Sequence, residues 1–438
     1  MHIAIIGSGP AGMTAALLLA RQGHRITLAD RDPGPVAGQP WNRVGVMQFH
    51  LPHGFRGQCR HLLLDRLPDV YQAILAAGAT VIVPDGAPEA AAMLQVRRSV
   101  FERAYWQATS REPGITRLTG HVDRIEVEDG RAFGIVVDSA LVAADLVVDA
   151  SGRAGRLSTP FRPLGQRVDC GMAYAARQYR LRSGATPGPV NGGPGFMAQH
   201  RGFLVMVFQH EGGTFTVLFV RPSDDKALAL LRHSDAFEAA CRAVPGLAEW
   251  TDADRSEPID AVRAGAGLTN EYTAQPTGVA RLVVIGDAFG MTNPQGARGV
   301  TLGMESAAVL ADLVRVQEPD GVAAGLDAWG SAQLLPWFHD HVDWDAALLD
   351  LWSGRPVDPD GPIGLEVVVA AARERHPEWM ATLMPFFSMD TMPASLDPLR
   401  NAVREMARHG WQPAEPDGPT RDQLADLVHE ALAEQVPA

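Results

Sequence analysis

Gly7, Gly9 and Gly12 stand in the spacing Gly-x-Gly-x-x-Gly, directly after the apolar run Ile3-Ala4-Ile5-Ile6. The helix-forming stretch Met13-Thr14-Ala15-Ala16-Leu17-Leu18-Leu19-Ala20 follows at once. The chemistry this spacing serves is the binding of a pyrophosphate. A strand, a tight turn and a helix start leave unpaired backbone N–H groups aimed at one point, and the helix dipole favours negative charge there. Gly7 makes the turn, Gly9 admits the phosphates close to the backbone, and Gly12 lets helix and strand pack closely, with Pro10 and Ala11 between them. Asp30 closes a second strand-like stretch, Arg25-Ile26-Thr27-Leu28-Ala29, where a carboxylate accepts hydrogen bonds from ribose hydroxyls. Together these residues mark a dinucleotide site, and Asp30 suits NAD as well as FAD.

Other groups with chemical potential lie further along. The apolar stretch Leu282-Val283-Val284-Ile285 ends in Gly286-Asp287, and a turn holding Pro294, Gly296, Gly299 and Val300 leads into a helix from Leu302 to Val316. Asp287 is placed to take a sugar hydroxyl, and the helix start can stabilise negative charge on a reduced flavin ring. Asp149 ends a third buried strand and precedes the small residues Ala150-Ser151-Gly152 and Arg153, which permit a ligand to approach closely. Arg98 opens a helix just before Phe101 and can reach an anion, whereas its neighbour Arg97 is expected on the surface. The segment from Met47 to Arg56, with Gln48, His50 and His53, reads as an ordered loop beside the cofactor. His53 and Arg43 are the candidates near the reacting ring. Arg31, next to Asp30, belongs with the cofactor-binding set. Trp329, Trp337, Trp344 and Trp352, near Asp340, His341 and Asp345, read as packing and solvated surface.

The elements that must position these groups follow from periodicity. Cys59 to Ala77 reads as one helix, with Leu62, Leu63, Leu67, Val70 and Ile74 at helical spacing, and Gly78 to Val83 as the strand after it. Residues 121–137 suggest a β-meander, and 166–222 broad strands of period two. Ala236 to Val244 is helical. The last hundred-odd residues are mainly helical and end in an acidic amphipathic helix after Pro419.

Composition excludes several roles. A net charge of −13 over 438 residues argues against a nucleic-acid partner and against an anionic membrane surface. Lys226 is the only lysine, which removes most lysine-dependent chemistry. Cys59, Cys170 and Cys241 are far apart and form no metal or redox pair, so no metal is expected and buried inert thiols are. The run from Ile3 to Ala20 is interrupted by three glycines and a proline and is not a membrane span, which makes a cytoplasmic protein the expectation.

Three separated motifs are ordered here as FAD-dependent oxidoreductases order them: Gly7-Ser8-Gly9-Pro10-Ala11-Gly12 with Asp30, Asp149-Ala150-Ser151-Gly152-Arg153, and Gly286-Asp287-Ala288 through Asn293-Pro294 to Gly299. Across roughly residues 1 to 320 the chain resembles the aromatic-hydroxylase-like flavoprotein monooxygenases, the fold of p-hydroxybenzoate hydroxylase. The resemblance implies an α/β fold. Its parts would be a Rossmann-type FAD-binding domain in two parts (1–165 and 276–320), an interleaved β-sheet substrate domain (166–275) and a helical C-terminal region (321–438). By the same resemblance Arg98 would contact FAD. The implied activity is hydroxylation or epoxidation of an apolar or aromatic small molecule with O2, a biosynthetic tailoring step through a flavin C4a-hydroperoxide. NAD(P)H would be the reductant, acting directly or through a separate flavin reductase. The middle motif, Asp-Ala-Ser-Gly in place of Asp-Gly, is closer to halogenases and geranylgeranyl-reductase-type proteins. The halogenases' Trp-x-Trp-x-Ile-Pro segment and catalytic lysine have no counterpart. An FAD dehydrogenase or double-bond reductase on the same fold is the alternative, and an FAD-binding protein without turnover a third reading.

Overall fold

A computed structural model describes residues 1–84, 88–153, 155–192 and 195–433, so the end of the proposed C-terminal region, 434–438, lies outside the described residues. Five parallel strands form the nucleotide-side sheet, in the order Leu282–Val284, Leu146–Asp149, His2–Ile6, Arg25–Asp30 and Ile115–Thr119. The strand His2–Ile6 lies in the middle and is buried from Ile3 onward, as an all-apolar run covered on both faces must be. Helices Pro10–Arg21, Arg98–Arg111 and Gly299–Val316 cover one face and share its core. The other face is covered by the antiparallel meander Val122–Glu128, Arg131–Val137 and Ala140–Ala143, through Val122, Ile125, Ile135 and Val137 packed on Ala4, Ile6 and Val147.

The second layer is a six-stranded antiparallel sheet built on Met172–Leu181, Phe203–Gln209 and Thr214–Pro222. Side chains alternate between its faces with period two. Ala175, Tyr179, Val205, Val207, Phe215, Val217 and Phe219 pack under helices Ser234–Ala243 and Arg421–Ala433. Tyr174, Met206, Phe208 and Leu218 point the opposite way, into a smaller cluster with Leu268, Leu348 and Trp352. A three-stranded sheet, Gln166–Asp169, Thr269–Tyr272 and Gly290–Met291, stitches the two layers together.

One expectation about elements needs correction. The single helix over Cys59–Ala77 is two, Gly57–Arg66 and Pro68–Ala76. Pro68 has no N–H to continue the first helix and disfavours a helical conformation in Leu67, which sits at φ −139°, ψ 55°. The expected final helix is present as Arg421–Ala433 and packs on the antiparallel sheet. Leu424, Ala425 and Val428 enter the core of the antiparallel sheet, and Arg421 makes a two-pronged pair with Asp225. No helix among the described residues is long and apolar enough to cross a membrane.

Candidate active site

At the C-terminal end of His2–Ile6 the chain turns at Gly7 with φ +101°, a conformation that favours glycine. A Cβ on Gly7 would lie 2.4 Å from the Ala150 carbonyl oxygen, and one on Gly12 would lie 2.0 Å from the Gly7 oxygen. These two glycines therefore join two strand ends and a helix start at backbone contact. Gly9 is different: a Cβ there would meet nothing within 4 Å. It borders a cavity of about 410 Å³ that runs along the C-terminal edge of the parallel sheet. Gly7, Gly9, Pro10, Ala11, Asp30, Arg31, Arg43, His53, Arg98, Gly286, Asp287, Pro294, Gly299 and Val300 all contribute to its wall.

Three of the expected cofactor residues do not reach this wall. Gly12 is consumed by the strand–helix contact just described. Asp149 is buried, and accepts Ser151 N–H at 3.0 Å and Ser158 N–H at 3.3 Å, so it shapes the Ala150–Arg153 turn that does line the cavity. Gly296 faces the other way, where a Cβ would meet His341 Cε1 at 2.6 Å, and its carbonyl accepts Arg56.

Asp30 is already well supplied with donors. Its Oδ2 accepts Ser8 N–H at 2.6 Å, Ser8 Oγ at 2.7 Å and Arg43 at 2.8 Å. Burial works against its charge, yet Arg43 and these N–H groups prevail and hold the carboxyl below the usual range. Arg43 is not a free group beside a ring. It is buried, ties the Ser8 carbonyl (3.0 Å) to Asp30, and donates to Glu102 at 2.7 Å. Sequence reasoning missed Glu102, which is fully buried and also accepts Arg98 from four residues earlier in the helix. The only signal was that spacing, and it reads equally well as a surface pair. Arg97, expected on the surface, instead pairs with Glu211 through both N–H and Nε.

His53 is neutral and engaged on both nitrogens. Nδ1–H donates to Leu51 O at 2.9 Å, which leaves Nε2 as acceptor for Arg98 at 3.2 Å. Burial, and then Arg98, push its pKa down to about 3. It positions Arg98 and has no lone pair left for proton transfer.

Asp287 contrasts with Asp30. Burial raises its pKa while Arg98 and Arg153 oppose the rise, and its carboxyl forms no hydrogen bond among the described residues although it faces the cavity. Gly286 beside it has φ +64°, and a Cβ there would come within 3.0 Å of Ala11 Cβ. An open pyrophosphate seat at Gly9, an arginine with a free edge at Arg98 and an unpaired acceptor at Asp287 fit a dinucleotide whose sugar chain crosses from one strand end to the other. Asp287→Ala should weaken FAD binding tenfold or more, the worth of a hydrogen bond to a charged group at ~1.5–3 kcal/mol. Flavin titration of the apoprotein measures it, and an unchanged affinity excludes Asp287 as a contact.

The Trp and acid cluster is buried, not solvated. Arg298, 3% exposed, is paired with Asp340 at 2.8 Å and stacked 4.4 Å from the Trp337 ring. Asp345 accepts Asn270 and Asn293 amides at 2.8 Å each, and Asn293 in turn accepts the Tyr174 hydroxyl. Burial pushes Asp345 up to about 6 and Glu366, which accepts Gln295 at 3.0 Å, up to about 8. This network fastens the Asn293–Ala297 turn to the C-terminal helices. The three cysteines are buried and free, and burial raises the thiols of all three. No cluster of metal-ligating residues occurs among the described residues.

Residues 2–80 match the model of the FAD dependent oxidoreductase family. The thiamine thiazole synthase of Solidesulfovibrio magneticus is 31% identical over 160 residues, 35% of this chain and 57% of that enzyme, so the chain spans little more than half the length of this relative. The flavin-dependent brominase Bmp2 superposes with a TM-score of 0.68 at 16% identity, covering 93% of this chain and 100% of Bmp2. PqsL, described as a probable FAD-dependent monooxygenase from Pseudomonas aeruginosa, superposes with a TM-score of 0.59 at 14% identity, covering 81% and 99% of the two chains. Residues 2–80 are thus similar to the FAD dependent oxidoreductase family, and the chain has the fold of the solved Bmp2 and PqsL structures.

Proposed function

We propose that the protein is an FAD-dependent monooxygenase that hydroxylates or epoxidises a neutral apolar or aromatic small molecule. The observation that carries this reading is the continuity of the cavity. It runs from the Gly7–Ala11 turn to the inner face of the antiparallel sheet, where Leu51, Tyr174, Met206, Phe208, Leu218 and Met291 form its wall. The charged members of the wall sit on the nucleotide-side loops and strand ends, at Asp30, Arg31, Asp32, Arg43, Arg98, Arg153 and Asp287. The sheet end carries none, so a substrate carboxylate would enter without a counter-ion, at a cost of several kcal/mol.

When bound and reduced, FAD supplies the activation of O2. The protein's own share is binding, orientation and exclusion of water. The net reaction takes substrate, O2, NAD(P)H and a proton to oxygenated substrate, water and NAD(P)⁺, with the nicotinamide acting directly or through a flavin reductase. Tyr174 is the hydroxyl on the apolar wall. It donates to Asn293, whose amide is oriented by Asp345, and burial keeps the phenol protonated, so it can orient a substrate but not act as a base. Lysine-dependent halogen transfer has no candidate, because Lys226 is exposed on the loop after Thr214–Pro222 and is not part of the cavity wall.

The test is product analysis under 18O2. Holoprotein is reduced anaerobically, mixed with labelled oxygen, and offered neutral aromatics beside their carboxylate analogues. One 18O atom in the product of a neutral compound, with the carboxylates untouched, is the expected result. Stoichiometric substrate reduction without label would replace this reading by a dehydrogenase or double-bond reductase.

A further inference from the structure

We infer that Glu102 is a positioning residue for flavin binding, which sets the cavity-facing edge of Arg98 against the Ser8–Gly9 turn. The inference rests on the flavin site and not on the oxygenation reading. Glu102 is the one fully buried carboxylate in the Arg98–Arg111 helix, and its two oxygens are divided between two arginines from different parts of the chain. Oε1 accepts Arg98 Nε, and Oε2 accepts Arg43 at 2.7 Å. Arg43 carries the link onward to the Ser8 carbonyl at 3.0 Å and to Asp30 at 2.8 Å. Arg98 is held on its other side by His53 at 3.2 Å, and its remaining nitrogen makes no hydrogen bond among the described residues. A guanidinium is a planar fork of fixed geometry, so fixing two of its nitrogens fixes the direction of the third. Arg98 is part of the cavity wall. The backbone donors at Gly9 and the free edge of Arg98 are thereby held in one register before any ligand arrives, which lowers the ordering cost of binding.

Charge alone predicts the opposite effect of removing this carboxylate. An anion seat beside Arg43 and Arg98 should bind a diphosphate more tightly once Glu102 is neutralised, so weaker binding identifies positioning. Glu102→Gln keeps the shape but offers one acceptor oxygen for two arginines. Its FAD dissociation constant should rise at least tenfold, measured by titrating apoprotein with FAD, while the apoprotein still melts cooperatively. Arg98→Met should also weaken binding. The double variant should lose clearly less than the product of the two single losses, since the part of Glu102's effect that passes through Arg98 is then already gone. Tighter or unchanged binding in Glu102→Gln overturns the inference, and so do losses that multiply in the double variant. If Glu102→Gln yields no folded protein, His53→Leu takes its place, because it releases Arg98 from the other side and leaves Arg43 paired. It should weaken FAD binding severalfold alone and not at all on the Arg98→Met background, and any other pattern rejects the role of Arg98's orientation.

Discussion

Gly9→Val should purify as a folded but colourless protein, whereas Gly12→Val should not fold. The two glycines belong to one motif and differ only in what a side chain would meet. At Gly9 the backbone is in an ordinary extended conformation (φ −75°, ψ 178°), and no side-chain cap of the helix is present to be lost. A Cβ finds open space there, the space proposed as the pyrophosphate seat. The branched side chain would then exclude the diphosphate from the N–H groups at the helix start, costing at least about a thousandfold in FAD affinity, or ~4 kcal/mol. At Gly12 the Cβ would sit 2.0 Å from the Gly7 carbonyl oxygen, with Ala150 Cβ 3.3 Å away. Neither neighbour can give way, because Gly7 is itself wedged against Ala150 O, so the helix must leave the sheet. Absorbance of bound flavin and far-UV circular dichroism separate the outcomes. Full flavin content in Gly9→Val would exclude the turn as the cofactor seat.

The contrast shows which parts of the site were legible in the residues alone. Gly7, Gly9, Asp30, Arg98 and Asp287, all on the cavity wall, are singled out by local pattern: each lies at a strand end or a helix start whose signal spans only a few neighbours. Glu102 was not found, because its meaning depends on Arg43, which reaches it from a loop fifty-nine residues earlier. The same holds for Asp345. Its amide partners Asn270 and Asn293 come from a connecting strand and from the turn before Gly299, and nothing in the run Trp344-Asp345 announces burial. Asp149 and Gly296 were misread for a related reason: the right residue types stand at the right strand end or turn, but the side that faces the cavity is chosen by Ser158 in one case and by His341 in the other. The parallel strands and the antiparallel β-sheet were readable from apolar runs and alternation. The return of Arg421–Ala433 to the antiparallel sheet was not, since an amphipathic face does not say which apolar surface it will cover.

Buried titratable groups give the second large effect, a stability maximum near pH 6.5. His200, His210 and His341 are less than a tenth exposed, and burial, the first cause in each, pushes them to about 4, about 3 and well below the usual range respectively. His53, at about 3, behaves likewise. His341 illustrates the geometry: Arg298 donates to its Nδ1 at 3.1 Å, so a second proton would create a cation against an arginine. Each such histidine stays neutral when folded but takes up a proton near pH 6.5 when unfolded, so stability falls as pH falls. Buried carboxyls act in the opposite sense, three of them most strongly. Burial raises Asp345 to about 6, Glu305 to about 7 and Glu366 to about 8, so the folded protein keeps protons that the unfolded chain releases above its ordinary carboxyl range, and stability falls as pH rises. Below pH 6 these four histidines outweigh these three acids, so stability rises with pH there. Near pH 6.5 the two sets balance, and by pH 8 the acids should have removed about 1 kcal/mol. Glu366→Gln isolates one term. It keeps the size of a neutral Glu366 beside Gln295 and Trp344, and should replace the alkaline fall by a plateau above about pH 7.5 while steepening the acid side. Urea unfolding of the holoprotein between pH 5 and 8.5 measures both curves. A wild-type stability that climbs steadily to pH 8, or a variant that still loses stability between pH 7 and 8, would show that these groups are hydrated in the folded state.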